Sequence, residues 1–296
     1  MWLGPSILIV RASTLTEARL PCDVRRDIHR REGVGKVRFL TTWLGIVLLA
    51  LGMVAPAAAQ SVPNIAAAAD LRLALTEVAA AFTRDTGQKV SLTFGSSGNF
   101  YRQLQQGAPF QLFLSADEDY VLALAKAGKT VDRGTPYAIG RLAVVAPKGS
   151  PMQVDSNLAG LRAAVRAGQI TRFAIANPAH APYGKRAEEV LRRGQLWEPL
   201  IGKLVLGENV SQAMQFATAG GAQGGIVAYS LVLDPAFALR ARYALIPAAW
   251  HRPLRQRMVL MKAAGPVAQR FYRYIQQPAA RRILVRHGFA LPGEAR

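Results

Sequence analysis

The stretch KVSLTFGSSGNFYRQL, Lys89 to Leu104, decides the fold. Its first half alternates apolar and polar residues as a half-buried strand does. Gly95 to Gly98 then turn the chain, and Phe100 and Leu104 recur at helical spacing. A strand, a tight turn and a helix in that order is the beginning of a β-α-β unit. The turn also sets Ser96 and Ser97 between two glycines. A nucleophile elbow is excluded by spacing, because it needs glycine two residues to each side of the serine and neither hydroxyl has both. Two readings remain open at this point. Ser, Gly and Asn are ordinary turn and N-cap residues. Equally, hydroxyls and unpaired amides at a helix start can hold an anion.

Outward from this stretch, strand and helix signals keep alternating. NIAAAA (64–69) is a weak first strand, followed by a helix from Leu71 to about Thr86 with Leu71, Leu75, Val78 and Phe82 on one face and Asp70 as its N-cap. FQLFLSA (110–116) is a strand, Asp117 to Ala127 a helix stopped by Gly128, and AIGRLAVVAP (138–147) a single longer strand ending at Pro147. A second series follows KGSP. It has a helix near Leu158 to Ala167, the strand RFAIA, a helix opening at PYGKRAEEVLRR, the strand KLVLG, the helix SQAMQFATA and the strand GGIVAY. Strands near YALIP and RMVLMK and two last helices, PVAQRFYRYIQ and PAARRILVRHG, complete the chain. The order predicts an α/β protein of two lobes, each a mainly parallel sheet flanked by helices. Residues 60–143 and 243–296 are assigned to lobe 1, and 144–242 to lobe 2. Ligands of such open sheets sit beyond the carboxyl ends of the strands. Four turns there carry small or neutral hydrogen-bonding residues: AADL, FGSSGNF, ANPAHAPYG and GENVSQ. Their coincidence favours the anion reading of Ser96 and Ser97.

The N-terminus predicts export. VRFLTTWLGIVLLALGMVAPAAAQ has a basic start, an apolar core from Trp43 to Val54 and an A-x-A site at Ala57 and Ala59, so residues 37–59 read as a signal peptide and the mature chain starts near Gln60. Residues 1–36 are polar and Arg-rich and read as an extension ahead of the true start, with Val37 as that start if its codon is GTG. The single cysteine, Cys22, lies in that extension, so disulfides, thiolate catalysis and Cys-based metal sites are excluded from the mature chain. The 37 Lys and Arg outnumber 18 Asp and Glu, but they are scattered and no nucleic-acid motif accompanies them. No nucleic-acid partner is expected; a basic field of this kind steers small anions.

The four turns, with QGAPFQLFLSAD and GGIVAY, resemble the molybdate-binding periplasmic component of an ABC transporter over nearly all of Asn64 to Leu291. The resemblance implies a class II periplasmic binding protein in which two lobes, joined by two crossing strands, clamp a tetrahedral oxyanion between them. It implies a binding protein without catalytic residues, a monomer, no cofactor, molybdate or tungstate as ligand, and a permease in the inner membrane as partner. Position by position it assigns Ser97 as a hydroxyl donor with Ser96 beside it, Tyr183 in the P-x-G turn, the backbone N–H of Val210 in ENV, and Tyr229 as a lobe 2 tyrosine. These groups would meet the oxygens of the anion, and its metal centre only through those oxygens. Neutral hydroxyls and oriented amides form the preorganised donor shell such a dianion needs. One departure stands at the first turn: the family's strand usually ends in AAAS-L or AAAS-D-L, with the serine hydroxyl on the oxyanion, whereas this chain has Ala69 and Asp70 and that hydroxyl is missing. A carboxylate aimed at a dianion would repel it by about 4 kcal/mol at close range, so the Asp70 side chain is expected to turn onto the helix N–H groups.

Two alternatives stand beside this reading. An exported hydrolase or metal enzyme would use His180, His251 or His287, but no histidines stand at i, i+4 spacing and no H-E-x-x-H occurs. The same fold could also bind sulfate, phosphate or ferric iron; iron would want carboxylate, tyrosinate or histidine ligands, of which the four turns bring few together.

Overall fold

The computed structural model describes residues 62–293, so the expected extension (1–36) and signal peptide (37–59) lie outside the described residues. Ten strands form two five-stranded sheets: β1 (Asn64–Ala68), β2 (Ser91–Gly95), β3 (Leu112–Ser115), β4 (Thr135–Gly140), β5 (Leu142–Pro147), β6 (Phe173–Ala176), β7 (Leu204–Gly207), β8 (Gly224–Ala228), β9 (Ala241–Leu245) and β10 (Leu254–Leu260). The first sheet has the order β2-β1-β3-β10-β4 and the second β7-β6-β8-β5-β9. In each, three strands run parallel, as the alternation predicts, and the remaining two pair antiparallel. Eight longer helices cover the sheets: α1 (Arg72–Thr86), α2 (Ser97–Gln105), α3 (Glu118–Lys126), α4 (Ala159–Arg166), α5 (Pro182–Arg193), α6 (Val210–Thr218), α7 (Pro266–Ile275) and α8 (Pro278–Arg286).

Alanine is a poor strand former, yet β1 forms because helices close over both of its faces. Ile65 and Ala67 pack into a core with Phe82 of α1 and Phe271 of α7, whose rings meet edge to face at 5.1 Å. Ala66, on the opposite face, packs with Phe100 and Leu104 of α2 and Phe113 of β3. Each buried phenylalanine contributes about 1.5–3 kcal/mol relative to exposure, and the small β1 side chains let both layers approach.

Two expectations need correction. Ala138 to Pro147 is not one strand: β4 ends at Gly140, β5 begins at Leu142, and the two belong to different sheets. The expected lobe divisions at 143/144 and 242/243 fall inside β5 and β9, and both strands pair within the second sheet. The chain therefore crosses between halves at Arg141 and again between Ile246 and Pro253. Apolar residues flank the first crossing on both sides and only Gly140 and Arg141 interrupt them, too short a break for hydropathy to separate two strands.

Candidate functional site

The carboxyl ends of the parallel strands of both sheets meet at one small pocket. The first half supplies Ala68, Ala69 and Asp70 after β1, Gly95, Ser96 and Ser97 after β2, and Ala116 after β3; the second supplies Ala181, Pro182 and Tyr183 after β6 and Asn209 and Val210 after β7. All four turns singled out in the sequence are thus brought together. A wider cleft, about 560 Å³, lies at the strand crossings between Arg141, His251 and Arg255. The helix N-termini and their hydroxyls converge on the small pocket instead, and the chemistry is there.

The donors can be counted. Ser96 is the N-cap of α2: its Oγ accepts from the Asn99 amide at 3.3 Å and lies 2.9 Å from His180 Nδ1 and 3.3 Å from the His180 carbonyl. Its hydroxyl is therefore occupied. Ser97 differs, because its buried Oγ accepts from the Ala116 amide at 3.0 Å and gives its own proton to no acceptor among the described residues. Across the pocket, Asn209 caps α6 by accepting the amides of Ser211 and Gln212, which leaves the Val210 N–H at the helix start. The helix dipoles make both N-termini favourable to negative charge. Among the described residues no lysine or arginine lines the pocket.

Asp70 departs from its expected role. Residues Ala69–Leu71 form a single 3-10 turn ahead of α1, the α1 N-cap is Leu71, and no side chain caps that end. The carboxylate instead is fully buried, with Oδ2 accepting from Tyr183 Oη at 2.9 Å and from Gln256 Nε2 at 2.6 Å, while Oδ1 has no hydrogen-bond partner among the described residues. Burial pushes its pKa up from the ordinary 3.8 to about 6, against the pull of those two hydrogen bonds and, more weakly, of the nearby Asp70 and Leu71 backbone amides. The 3-10 turn withdraws Asp70 from the cap position, and two distant donors take its carboxylate. Tyr183 accordingly lines the pocket with its hydroxyl committed to Asp70; burial, and then the Asp70 charge, hold that phenol well above its usual range.

Tyr229 is not brought to the pocket. It follows β8 with its amide bonded to the Arg141 carbonyl, and its ring packs 5.9 Å from that of Tyr243. Its neighbour Ser230 reaches the first turn instead, donating to the Asp70 carbonyl at 2.8 Å, and Ser211 donates to the Ala69 carbonyl at 3.0 Å. Sequence reasoning missed both serines and Gln256. For Gln256 a signal existed: it shares the inward face of β10 with Leu254 and Met258, a polar residue at a core position.

His180 stands behind Ser96, with its carbonyl accepting the Gly98 amide at 2.9 Å and its Nε2 3.4 Å from Glu208 Oε2; Asn99 donates to the same Glu208 oxygen at 2.9 Å. These contacts tie the two halves together at the pocket rim. Ser96, His180 and Glu208 lie in a line like a nucleophile relay, but the serine oxygen is held on three sides by its cap and by His180. His251 contacts the Arg252 carbonyl, and His287 pairs with Glu77, each remote from His180 in the contacts it makes. Among the described residues no group of three His, Cys, Asp or Glu is placed to hold a metal ion.

Comparison with known proteins places this architecture. The family model for bacterial extracellular solute-binding protein matches residues 63–290. The chain belongs to that family. Two relatives are the molybdate-binding protein ModA of Azotobacter vinelandii, 35% identical over 83% of this chain and 96% of that protein, and ModA of Rhodobacter capsulatus, 36% identical over 81% and 92%. The solved Azotobacter vinelandii periplasmic molybdate-binding protein superposes with a TM-score of 0.71 at 28% identity, covering 78% of this chain and 99% of that one. The sulfate-binding protein SubI of Mycobacterium tuberculosis shares the fold, with a TM-score of 0.64 at 15% identity.

Proposed function

We propose that this protein is the exported molybdate-binding component of an ABC importer, which captures the oxyanion between its two halves and delivers it to a membrane permease. One observation carries the reading: a pocket between two sheets where the Ser97 hydroxyl and the Val210 amide, from opposite halves, are left as unused donors at two helix N-termini. A tetrahedral anion presents oxygens in both directions, so it completes donors on both sides and favours the state in which the halves meet. Donors fixed by capped helices need no reorganisation on binding, which lowers the cost of ordering. The reading is supported by the ModA relatives, which cover most of this chain. Tungstate, with the same charge and shape, would occupy the same donors. Export would follow cleavage after Ala59, and the mature chain would work as a monomer with no cofactor.

Calorimetric titration of the mature chain with molybdate, tungstate, sulfate and phosphate tests this. Molybdate and tungstate are expected to bind in preference to the other two. Preference for sulfate or phosphate would overturn the assignment of the ligand, and no binding of any of the four would overturn the site.

A further inference from the structure

The anion site contains an acid that ought to repel its ligand. Among the described residues, Asp70 is the one carboxylate lining the pocket, no cation lines it, and Oδ1 of Asp70 is buried with no hydrogen-bond partner within bonding geometry. The groups facing it are Tyr183 from α5, Gln256 from β10 and Tyr137 from β4, whose hydroxyl donates to Gln256 Oε1 at 2.7 Å. Of the other elements packed on its turn, β2 and α6 carry no titratable residue. The turn after β8 adds Tyr229, α1 adds Arg72, which stacks over Phe94 at 5.0 Å, and His180 is engaged with Ser96. Nothing here neutralises a charged Asp70 beside a dianion.

Proton counting sharpens the conflict. Tyr183 has a single hydroxyl proton, and the carboxylate takes it; Gln256 spends an amide proton on the same oxygen. While Asp70 is charged, Tyr183 has nothing to give a ligand. We propose that Asp70 is the proton-bearing member of the binding shell, so that capture of one oxyanion is coupled to uptake of one proton from solvent by this carboxyl. The inference rests on the oxyanion reading of the pocket. A proton on Oδ1 creates an O–H donor at the oxygen that now lacks a partner. A proton on Oδ2 is donated to Tyr183 Oη, which then turns its own hydroxyl toward the anion. Either way one charge is removed and one donor is added. The Asp70 side chain is suited to the anion only when protonated, and the site is pH-dependent where one with asparagine at this position would not be.

The sign follows from the free protein. Burial has already brought Asp70 to about 6, and the incoming anion raises it further through like-charge repulsion. Below about pH 6 the carboxyl is already protonated and affinity is level. Above that value each anion must bring a proton with it, and affinity falls about tenfold per pH unit until the pKa of the complex is passed.

The test is calorimetric titration of the mature chain with sodium molybdate at about pH 7.5, in two buffers of different ionisation enthalpy. Wild type is expected to take up about one proton per anion. Asp70→Asn, which carries a fixed amide donor, is expected to bind with no proton uptake and with affinity flat from about pH 6 to 8. Wild-type binding with no proton uptake overturns the inference and leaves the oxyanion site intact, whatever the variant does. No binding of molybdate, tungstate, sulfate or phosphate by wild type anywhere between about pH 5 and 8 removes the site itself. If Asp70→Asn fails to fold, the wild-type proton count decides alone.

Discussion

Asp70→Asn also has a consequence that needs no ligand. A fully buried carboxyl raised from 3.8 to about 6 binds its proton more tightly in the folded chain than in the unfolded one. Its contribution to stability is therefore complete below about pH 4, is lost as pH rises to about 6, and stays lost above that. The difference in pKa corresponds to about 3 kcal/mol. Asparagine does not titrate, so whatever hydrogen bonds it keeps with Tyr183 and Gln256 enter as a constant offset. The stability gap between variant and wild type is expected to shift by about 3 kcal/mol in favour of asparagine between about pH 4 and 7.5. With a urea slope of about 2–3 kcal/mol/M for a chain of this size, that is a relative movement of the midpoint of about 1 M. Urea unfolding followed by tryptophan fluorescence at the two pH values measures it. A gap that does not change with pH would mean that Asp70 is not a buried carboxyl in solution, and the reasoning from its burial would fail with it.

Three other substitutions bear on the site. Ser97→Ala removes the unused hydroxyl and is expected to weaken molybdate binding by about ten- to a hundredfold in a calorimetric titration; it should also cost about 1–3 kcal/mol of stability in urea, because the buried Ala116 amide loses its acceptor. Ser96→Ala, whose hydroxyl is occupied as a cap, is expected to lower stability by about 1 kcal/mol and to leave affinity within a few-fold, so equal binding losses in the two serine variants would refute the donor count. Gly98→Ala places a methyl group against the His180 backbone, 2.9 Å from Tyr120 Oη and 3.0 Å from His180 Cα. Because those neighbours include the facing half of the pocket, binding is expected to fall more than about tenfold with little change in the urea midpoint, and unchanged affinity would show that the halves need not meet there.

What was legible in the sequence was what local chemistry controls. FGSSGNF announces its turn and helix start because Ser96 caps the helix that follows it, three residues from the amide it accepts. The four converging turns were legible for the same reason: each lies between a strand and a helix close to it in sequence. Asp70 shows where that logic stops. An aspartate immediately before an apolar helix face reads as a cap, and a single 3-10 turn is enough to move it off that position. Its actual partners stand 113 and 186 residues away: Gln256 comes from β10 of the same sheet, and Tyr183 comes to it only when the two sheets face each other. The same holds for Ser211 and Ser230, whose bonds to the first turn cross 142 and 160 residues. Those two hydroxyls matter to the missing one. At Ala69 the chain lacks the family's serine, but the turn carrying Ala69 and Asp70 is held by its carbonyls from the opposite half, so its amides and its acid are positioned by contacts that depend on closure. The donors of the site are thus written locally. Its charge state and its dependence on closure are not, because they arise from desolvation and from partners that no neighbouring residue encodes.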